Sequence, residues 1–216
     1  MSIDGRDARW VQHRVTRRAE LVSHALRAIR AQGPGVAMED IAARAGTSKT
    51  VIYRHFGDRA GLYTAVVESV QAYIEEGLTA ALQLSDPINL GRMTRDLADA
   101  YLALVERDPK IYQFVLNRPA EGPSGSVDPF RGLTGHLGAR VAATIAQQLE
   151  RNGADASCAG IWGHGVIGFI RAAADEWMAS GAVAPRAQVV NQISTLFTPA
   201  FGGAMSPIPV DTKEQQ

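Results

Sequence analysis

The sequence predicts an all-α chain of about nine helices, and three observations carry that prediction. Apolar residues recur three and four positions apart nearly throughout, the spacing that lines one face of a helix. No series of β-branched segments alternates with period two, as a sheet would require. Helix-breaking clusters, such as Gly33-Pro34-Gly35 and Asp108-Pro109, punctuate the periodic stretches. With 216 residues, 46% hydrophobic and 20% charged, the chain has enough apolar material for a sizeable core. That excludes wholesale disorder and leaves room for one large domain or two small ones.

Each element follows from its own pattern. Leu21, Ala25, Ala28 and Ile29 form the stripe of a first helix from Thr16 to Gln32, closed by the Gly33 cluster. A short helix from Met38 to Ala45 carries Glu39 and Asp40 in its first turn, where negative charge suits the dipole. Gly46-Thr47 makes a turn, Ser48 caps a third helix from Lys49 to His55, and Asp58 caps a fourth from Arg59 to Leu84. Ser85-Asp86-Pro87 opens a fifth, which runs through Leu97, Tyr101, Leu104 and Val105 to the break at Asp108-Pro109. A short helix from Lys110 to Asn117 leads into a loop from Arg118 to Ser126. Three more helices are expected: Asp128 to Arg151, Asp155 to Ser180, and Pro185 to Phe201 with proline in its first turn. The tail after Gly202 should fray.

Composition narrows the function classes. No run of about 18 uncharged apolar residues appears, which argues against a membrane span. Arg6, Arg9, Arg14, Arg17 and Arg18 crowd an N-terminus without an apolar stretch, unlike a secretory signal. The single cysteine, Cys158, excludes an internal disulfide and a multi-cysteine zinc site. A cytoplasmic protein is the simplest expectation. The zero net charge conceals an asymmetry: residues 1–60 hold 11 Lys+Arg against 6 Asp+Glu, and residues 61–216 hold 11 against 16. A basic head at +5 on an acidic body at −5 points to a polyanion partner for the head.

The most informative stretch is Met38 to Phe56, two short helices around a turn containing Gly46. That is the layout of a helix-turn-helix. Ile41, Ala42 and Ala45 face the partner helix, and Val51 and Ile52 return the contact. The other face of the second helix offers Lys49, Thr50, Tyr53, Arg54 and His55, groups suited to phosphates and base edges. An ordinary helical hairpin with a solvated polar face is the alternative that periodicity leaves open.

Residues from about Arg17 to Val67 resemble the N-terminal domain of the tetracycline-repressor (TetR) family of bacterial transcription regulators. The matching pieces are Asp40-Ile41-Ala42, Ala45-Gly46, Ser48, Ile52-Tyr53, His55-Phe56 and Leu62. The resemblance implies an N-terminal helix-turn-helix domain over 1–60, with a basic arm over 1–15. A helical ligand-binding and dimerisation domain would follow over 61–216. It makes Lys49 to Phe56 the recognition helix in the major groove, with Thr47 and Ser48 presenting a hydroxyl and backbone N–H groups to a phosphate. Tyr53 and His55 match backbone-contacting positions, and Arg59 stands where Lys is usual. Thr50 replaces a common small residue and can add a base contact. Ala37 stands where Thr or Ser usually caps the second helix, removing a cap worth about 1 kcal/mol. Arg17 and Arg18, which open the first helix, are the arm residues expected to reach DNA, against the alternative of a solvated leader.

A helix-turn-helix reads few base pairs, so a homodimer on a palindromic operator is implied. The helices at 155–180 and 185–201 are the expected dimer surface. Gly160, Gly163, Gly165 and Gly168 permit close approach there, and Val189, Ile193, Leu196 and Phe197 add an apolar stripe. Tyr101, Tyr112, Phe114, Trp162, Phe169 and Trp177 are candidate ligand-lining aromatics, with core packing the alternative for each. No charged cluster marks the body, which favours a small apolar or amphipathic effector. The run Val105 to Tyr112, followed by the Trp162–Trp177 helix, resembles actinobacterial members that sense fatty-acyl compounds. The family's mechanism would be release of DNA on effector binding, through the fourth helix. No cofactor is implied. Enzyme function finds no support: His136, His164, Asp175 and Glu176 lack ligand spacing, and Cys158 has no neighbouring base in sequence. A helical small-molecule-binding protein or enzyme without sequence-specific DNA binding is the alternative class.

Overall fold

The computed structural model describes residues 5–85, 89–116 and 131–204. Among them the chain forms α1 (Gly5–Gln32), α2 (Met38–Arg44), α3 (Lys49–Phe56), α4 (Arg59–Leu84), α5 (Leu90–Arg107), α6 (Pro109–Leu116), α7 (Arg131–Arg151), α8 (Ala159–Ala179) and α9 (Arg186–Ala204). The fold is all-α, as the periodicity predicts. The expected loop at 118–126, residues 128–130 and the tail beyond 204 lie outside the described residues.

α9 runs on to Ala204, past the expected end at Phe201 and the fraying expected after Gly202, and three helix starts differ for local reasons. α1 starts at Gly5 instead of Thr16, on a stretch without an apolar stripe for periodicity to detect. α5 starts at Leu90, where the Asn89 Oδ1 accepts from the Arg92 N–H at 2.9 Å and acts as the cap. α8 starts at Ala159 because Asp155 closes a turn instead, accepting from the Ser157 N–H at 2.8 Å and the Ser157 hydroxyl at 2.5 Å.

Packing groups the chain into two compact units. The first holds residues 1–72 and 108–129. Its core is Leu21, Ala25 and Ile29 of α1, Ile41 of α2, Ile52 of α3, Leu62 and Val66 of α4, and Ile111 and Val115 of α6, all buried. Two polar contacts tie α6 to the end of α1. The Arg30 guanidinium donates to both Asp108 carboxylate oxygens at 2.7 and 3.1 Å, and Lys110 Nζ donates to the Ala31 carbonyl at 2.9 Å. The Tyr63 hydroxyl donates to the Val115 carbonyl at 2.7 Å, tying α4 to α6.

The second unit holds residues 73–107 and 130–216. α7 and α8 cross at close range, and glycine makes that possible. A Cβ on Gly163 would lie 2.4 Å from the Ala142 nitrogen, and one on Gly138 would lie 2.6 Å from the His164 ring. Gly160, Gly165 and Gly168 meet nothing within 4 Å, so only part of the glycine series serves packing within the protomer. α9 packs on α5, where Arg186 reaches Asp99 at 3.0 Å and Glu106 at 2.8 Å. No helix among the described residues is long and apolar enough to cross a membrane.

Candidate nucleic-acid interface

The α2–turn–α3 segment is held by backbone geometry. Gly46 sits at φ +60°, the left-handed region that a side chain disfavours, and lets the chain reverse. The Thr47 N–H donates to the Ala42 carbonyl at 3.0 Å, closing the turn. Ser48 caps α3 as expected, its hydroxyl oxygen accepting from the Val51 N–H at 3.4 Å. Asp58 accepts from the Gly61 N–H at 2.7 Å at the start of α4. Ala37 has the extended backbone of a cap but provides no side-chain bond.

Burial sorts the two faces of α3. Ile52 and Phe56, four residues apart, are buried, whereas Lys49, Thr50 and Arg54 are exposed and Tyr53 and His55 half-buried. Ser48 and Arg59 are exposed, and Thr47 and Arg17 are half-buried. All nine predicted DNA-contacting residues therefore belong to one unit and keep solvent access. The arrangement can donate hydrogen bonds to phosphate oxygens from Lys49, Arg54, Arg59, Tyr53 and the hydroxyls at the start of α3.

Two contacts in this head were not foreseen. Arg18, expected at a phosphate, donates from Nη1 to the His55 carbonyl at 2.7 Å and lies 4.4 Å from the Phe56 ring centre. It holds the C-terminal end of α3, where carbonyls lack helical partners. The two residues are 37 apart in sequence, so no local pattern announces the bond. Lys49 Nζ pairs with Glu39 Oε1 at 2.5 Å, from the first residue of α3 to the first turn of α2. This hydrogen bond holds the Glu39 carboxyl below its ordinary pKa and the Lys49 ammonium above its own. Burial, then the charges of Arg54, Arg17, Arg14 and Arg18, push the His55 imidazole below its ordinary value.

The candidate ligand-lining aromatics are divided. Tyr112 (buried) and Phe114 (half-buried) belong to the first unit, where the Phe114 and Tyr63 rings lie 5.4 Å apart. Tyr101, Trp162, Phe169 and Trp177 belong to the second. Trp162 and Phe169 line an open depression of about 410 Å3 with Ile161, Phe197 and Phe201. Phe169 and Trp177 line another, of about 310 Å3, with Val189 and Ile193. Tyr101 is buried on α5 and lines neither. Phe197, expected on the apolar stripe beside the 155–180 helix, stacks with Phe201 at 6.0 Å, and both join the α8 aromatics in the first depression.

Family models cover most of the chain. Residues 21–66 match the model described as bacterial regulatory proteins, tetR family. Residues 78–206 match the tetracyclin repressor-like C-terminal domain. An uncharacterised HTH-type transcriptional regulator of Mycobacterium tuberculosis is 32% identical over 176 residues, which is 81% of this chain and 73% of that one. The HTH-type transcriptional activator FasR of Mycolicibacterium smegmatis is 33% identical over 78 residues, 36% of this chain and 35% of its own. Among solved structures, a TetR-family regulator from Pectobacterium atrosepticum has a TM-score of 0.68 at 24% identity, covering 91% of this chain and 98% of that one. FadR from Bacillus subtilis, in complex with stearoyl-CoA, has a TM-score of 0.63 at 11% identity, covering 83% and 97%. With the helix-turn-helix geometry, these matches place the chain in the TetR family of bacterial transcriptional regulators, DNA-binding proteins rather than enzymes.

Proposed function

We propose that the chain is a ligand-responsive repressor, acting in the cytoplasm, that binds a palindromic operator as a homodimer. In this reading residues 1–60 are the DNA-binding head, and residues 61–216 take the effector and the second copy. The observation that carries it is the outward face of α3, where Lys49, Thr50, Tyr53 and Arg54 share one solvent-accessible side behind a Ser48 cap. Thr47, Ser48 and Arg17 would meet phosphates at the edges of that face, and His55 and Arg59 would extend it. Two copies on a two-fold operator supply the affinity that one short helix lacks. The dimer would form through 155–180 and 185–201, whose exposed apolar residues include Ile161, Phe169 and Leu196.

The effector we infer is small and apolar or amphipathic, with an acyl compound the leading class. The stearoyl-CoA held by the B. subtilis protein of the same fold supports testing that class. Tyr101, Tyr112, Phe114, Trp162, Phe169 and Trp177 remain the candidate lining residues. Binding would favour a state whose recognition helices are misspaced for the operator. α4 is the element suited to carry that change, since one continuous helix from Arg59 to Leu84 contributes to both units.

The test is selection of genomic fragments by the purified protein at stated salt, with Tyr53→Ala alongside. Recovery of one inverted repeat, lost in the variant, is the expected result. Recovery of no sequence preference, or the same fragments with Tyr53→Ala, would overturn the reading. Release of the recovered duplex by acyl-CoA but not by free CoA is expected for the effector. Equal affinity with and without acyl-CoA would remove the acyl class.

A further inference from the structure

The first part of α1 has no core to serve. The helix begins at Gly5, yet every described side chain from Trp10 to Thr16 is exposed, and the first buried one is Leu21. Trp10 is 71% exposed, unusual for a residue with so much apolar surface. A helical stretch of this length without tertiary contacts is marginal in water and gains from a partner. Trp10, Arg14 and Arg17 recur at four and three residues, so they share one face.

The direction of that face is tied to α3. Arg18 bonds the His55 carbonyl at 2.7 Å and covers Phe56, which fixes this turn of α1 beside the C-terminal end of α3. Arg14 lies one turn further out, about 6 Å along the axis. The charges of Arg17, Arg14 and Arg18 all bear on the His55 ring, consistent with that placement. Residues 5–18 carry five arginines against Asp7 alone, so the extension complements a polyanion. Arg17 also pairs with Glu20 at 2.8 Å, an exposed pair that a phosphate can displace.

We propose that Trp10 and Arg14, on the face that continues outward from Arg17, form a second contact for duplex DNA, gripping the phosphate backbone outside the bases read by α3. The proposal rests on α3 being the recognition helix. The arginine forks suit phosphate oxygens, and the Trp10 indole offers a flat apolar surface for sugar with an N–H donor at its edge. The extension adds affinity and reach, and leaves base selection to α3.

Full-length protein, Arg14→Gln and Trp10→Ala are titrated against two duplexes at several salt concentrations. One duplex ends at the edges of the selected inverted repeat, and the other carries about 10 extra base pairs on each side, one helical turn. The native protein should bind the longer duplex more tightly. Arg14→Gln should lose that gain and flatten the log K against log salt slope by about 0.9 per protomer on the longer duplex. Trp10→Ala should lose part of the gain without changing the slope. Both residues are exposed, so thermal unfolding should be unchanged. Native-like binding of both duplexes by both variants would overturn the proposal, as would equal losses on the two duplexes. A smaller species in sedimentation for Trp10→Ala would reassign that face to protein contact and overturn the proposal too. If the native protein shows no preference for the selected repeat, the reading of α3 fails and this proposal with it; variants that match a sequence-selective native protein sink this proposal alone.

Discussion

α3 in the first unit turns Lys49, Thr50 and Arg54 outward, whereas α8 and α9 in the second expose Ile161, Phe169 and Leu196. The two faces solve different solvation problems. Exposed amines, guanidinia and hydroxyls stay hydrated until a polyanion displaces their water and counterions. Exposed Ile and Phe in one patch cost about 25 cal/mol for each Å2 left in water, so such a patch is suited to another apolar surface. A DNA-reading face can be built on eight residues because each contact is polar and directional. A self-association face needs area, and the one proposed would span two long helices.

The contrast breaks most completely at Ile161. It is 78% exposed in the protomer, so Ile161→Asp should leave folding intact. Two copies of a charge in a symmetric interface should weaken dimerisation by about 1,000-fold, since each of the two lost apolar contacts is worth about 2 kcal/mol. Sedimentation should show monomers, and affinity for the selected repeat should collapse although α3 is untouched. A dimeric Ile161→Asp protein would remove α8 and α9 from the proposed interface.

A smaller effect separates glycines on the same helix. Gly163→Ala should destabilise by about 1–3 kcal/mol, because its Cβ must push the α7 backbone aside. Gly165→Ala has open space in the protomer and replaces a poor helix former, worth up to about 1 kcal/mol in its favour. Chemical denaturation of the two variants measures the difference. Similar midpoints would mean that the α7–α8 crossing is looser than the geometry indicates.

These comparisons also explain what was legible in the sequence. The α3 face was readable because its determinants are neighbours: Ser48 as cap, Ile52 and Phe56 inward, Lys49 and Tyr53 outward. The helices of the second unit were readable as helices from their period, but not their assignment of faces. Gly160, Gly163, Gly165 and Gly168 look equivalent in sequence, and only the passage of α7 distinguishes Gly163. The Arg18–His55 bond and the pairing of Arg186 with Asp99 and Glu106 depend on chain segments brought together from far apart. The start of α1 at Gly5 escaped because helix without a core stripe has no apolar period.

Within the α3 face, two substitutions probe charge. Glu39 holds Lys49, so Glu39→Gln should release that ammonium to a phosphate. Affinity for duplex of any sequence should rise, and the salt slope should steepen by about 0.9 per protomer. An unchanged slope would mean that Lys49 does not reach phosphate. His55 is held below its ordinary pKa of 6.5 by burial and the surrounding arginines. Bound phosphates would offset the arginine charges, so binding should take up a proton. Affinity should then rise as pH falls toward the lowered pKa of the unbound His55, and His55→Gln should flatten that rise. Folding stability runs the other way. The unfolded chain binds the proton more readily, so the contribution is intact above the ordinary pKa and declines as pH falls toward the lowered one. Identical pH profiles for the native protein and His55→Gln would take His55 out of the contact.

The smallest expected effect lies at Ala37, which already has the backbone of a cap (φ −77°, ψ 152°) but no side-chain acceptor. Its exposed position leaves room for a hydroxyl. Ala37→Thr should therefore satisfy one of the open N–H groups at the start of α2 and add about 1 kcal/mol, or about 2–4 °C in Tm. α2 is only seven residues long, too short to hold as a helix by itself, so the cap acts on the element that supports α3. If the added hydroxyl also faces phosphate, affinity rises together with Tm. A rise in Tm alone would confine Ala37 to the scaffold of the head, and no change in either would mean that the packing of Met38, Ile41 and Ala42 already fixes α2 without a cap.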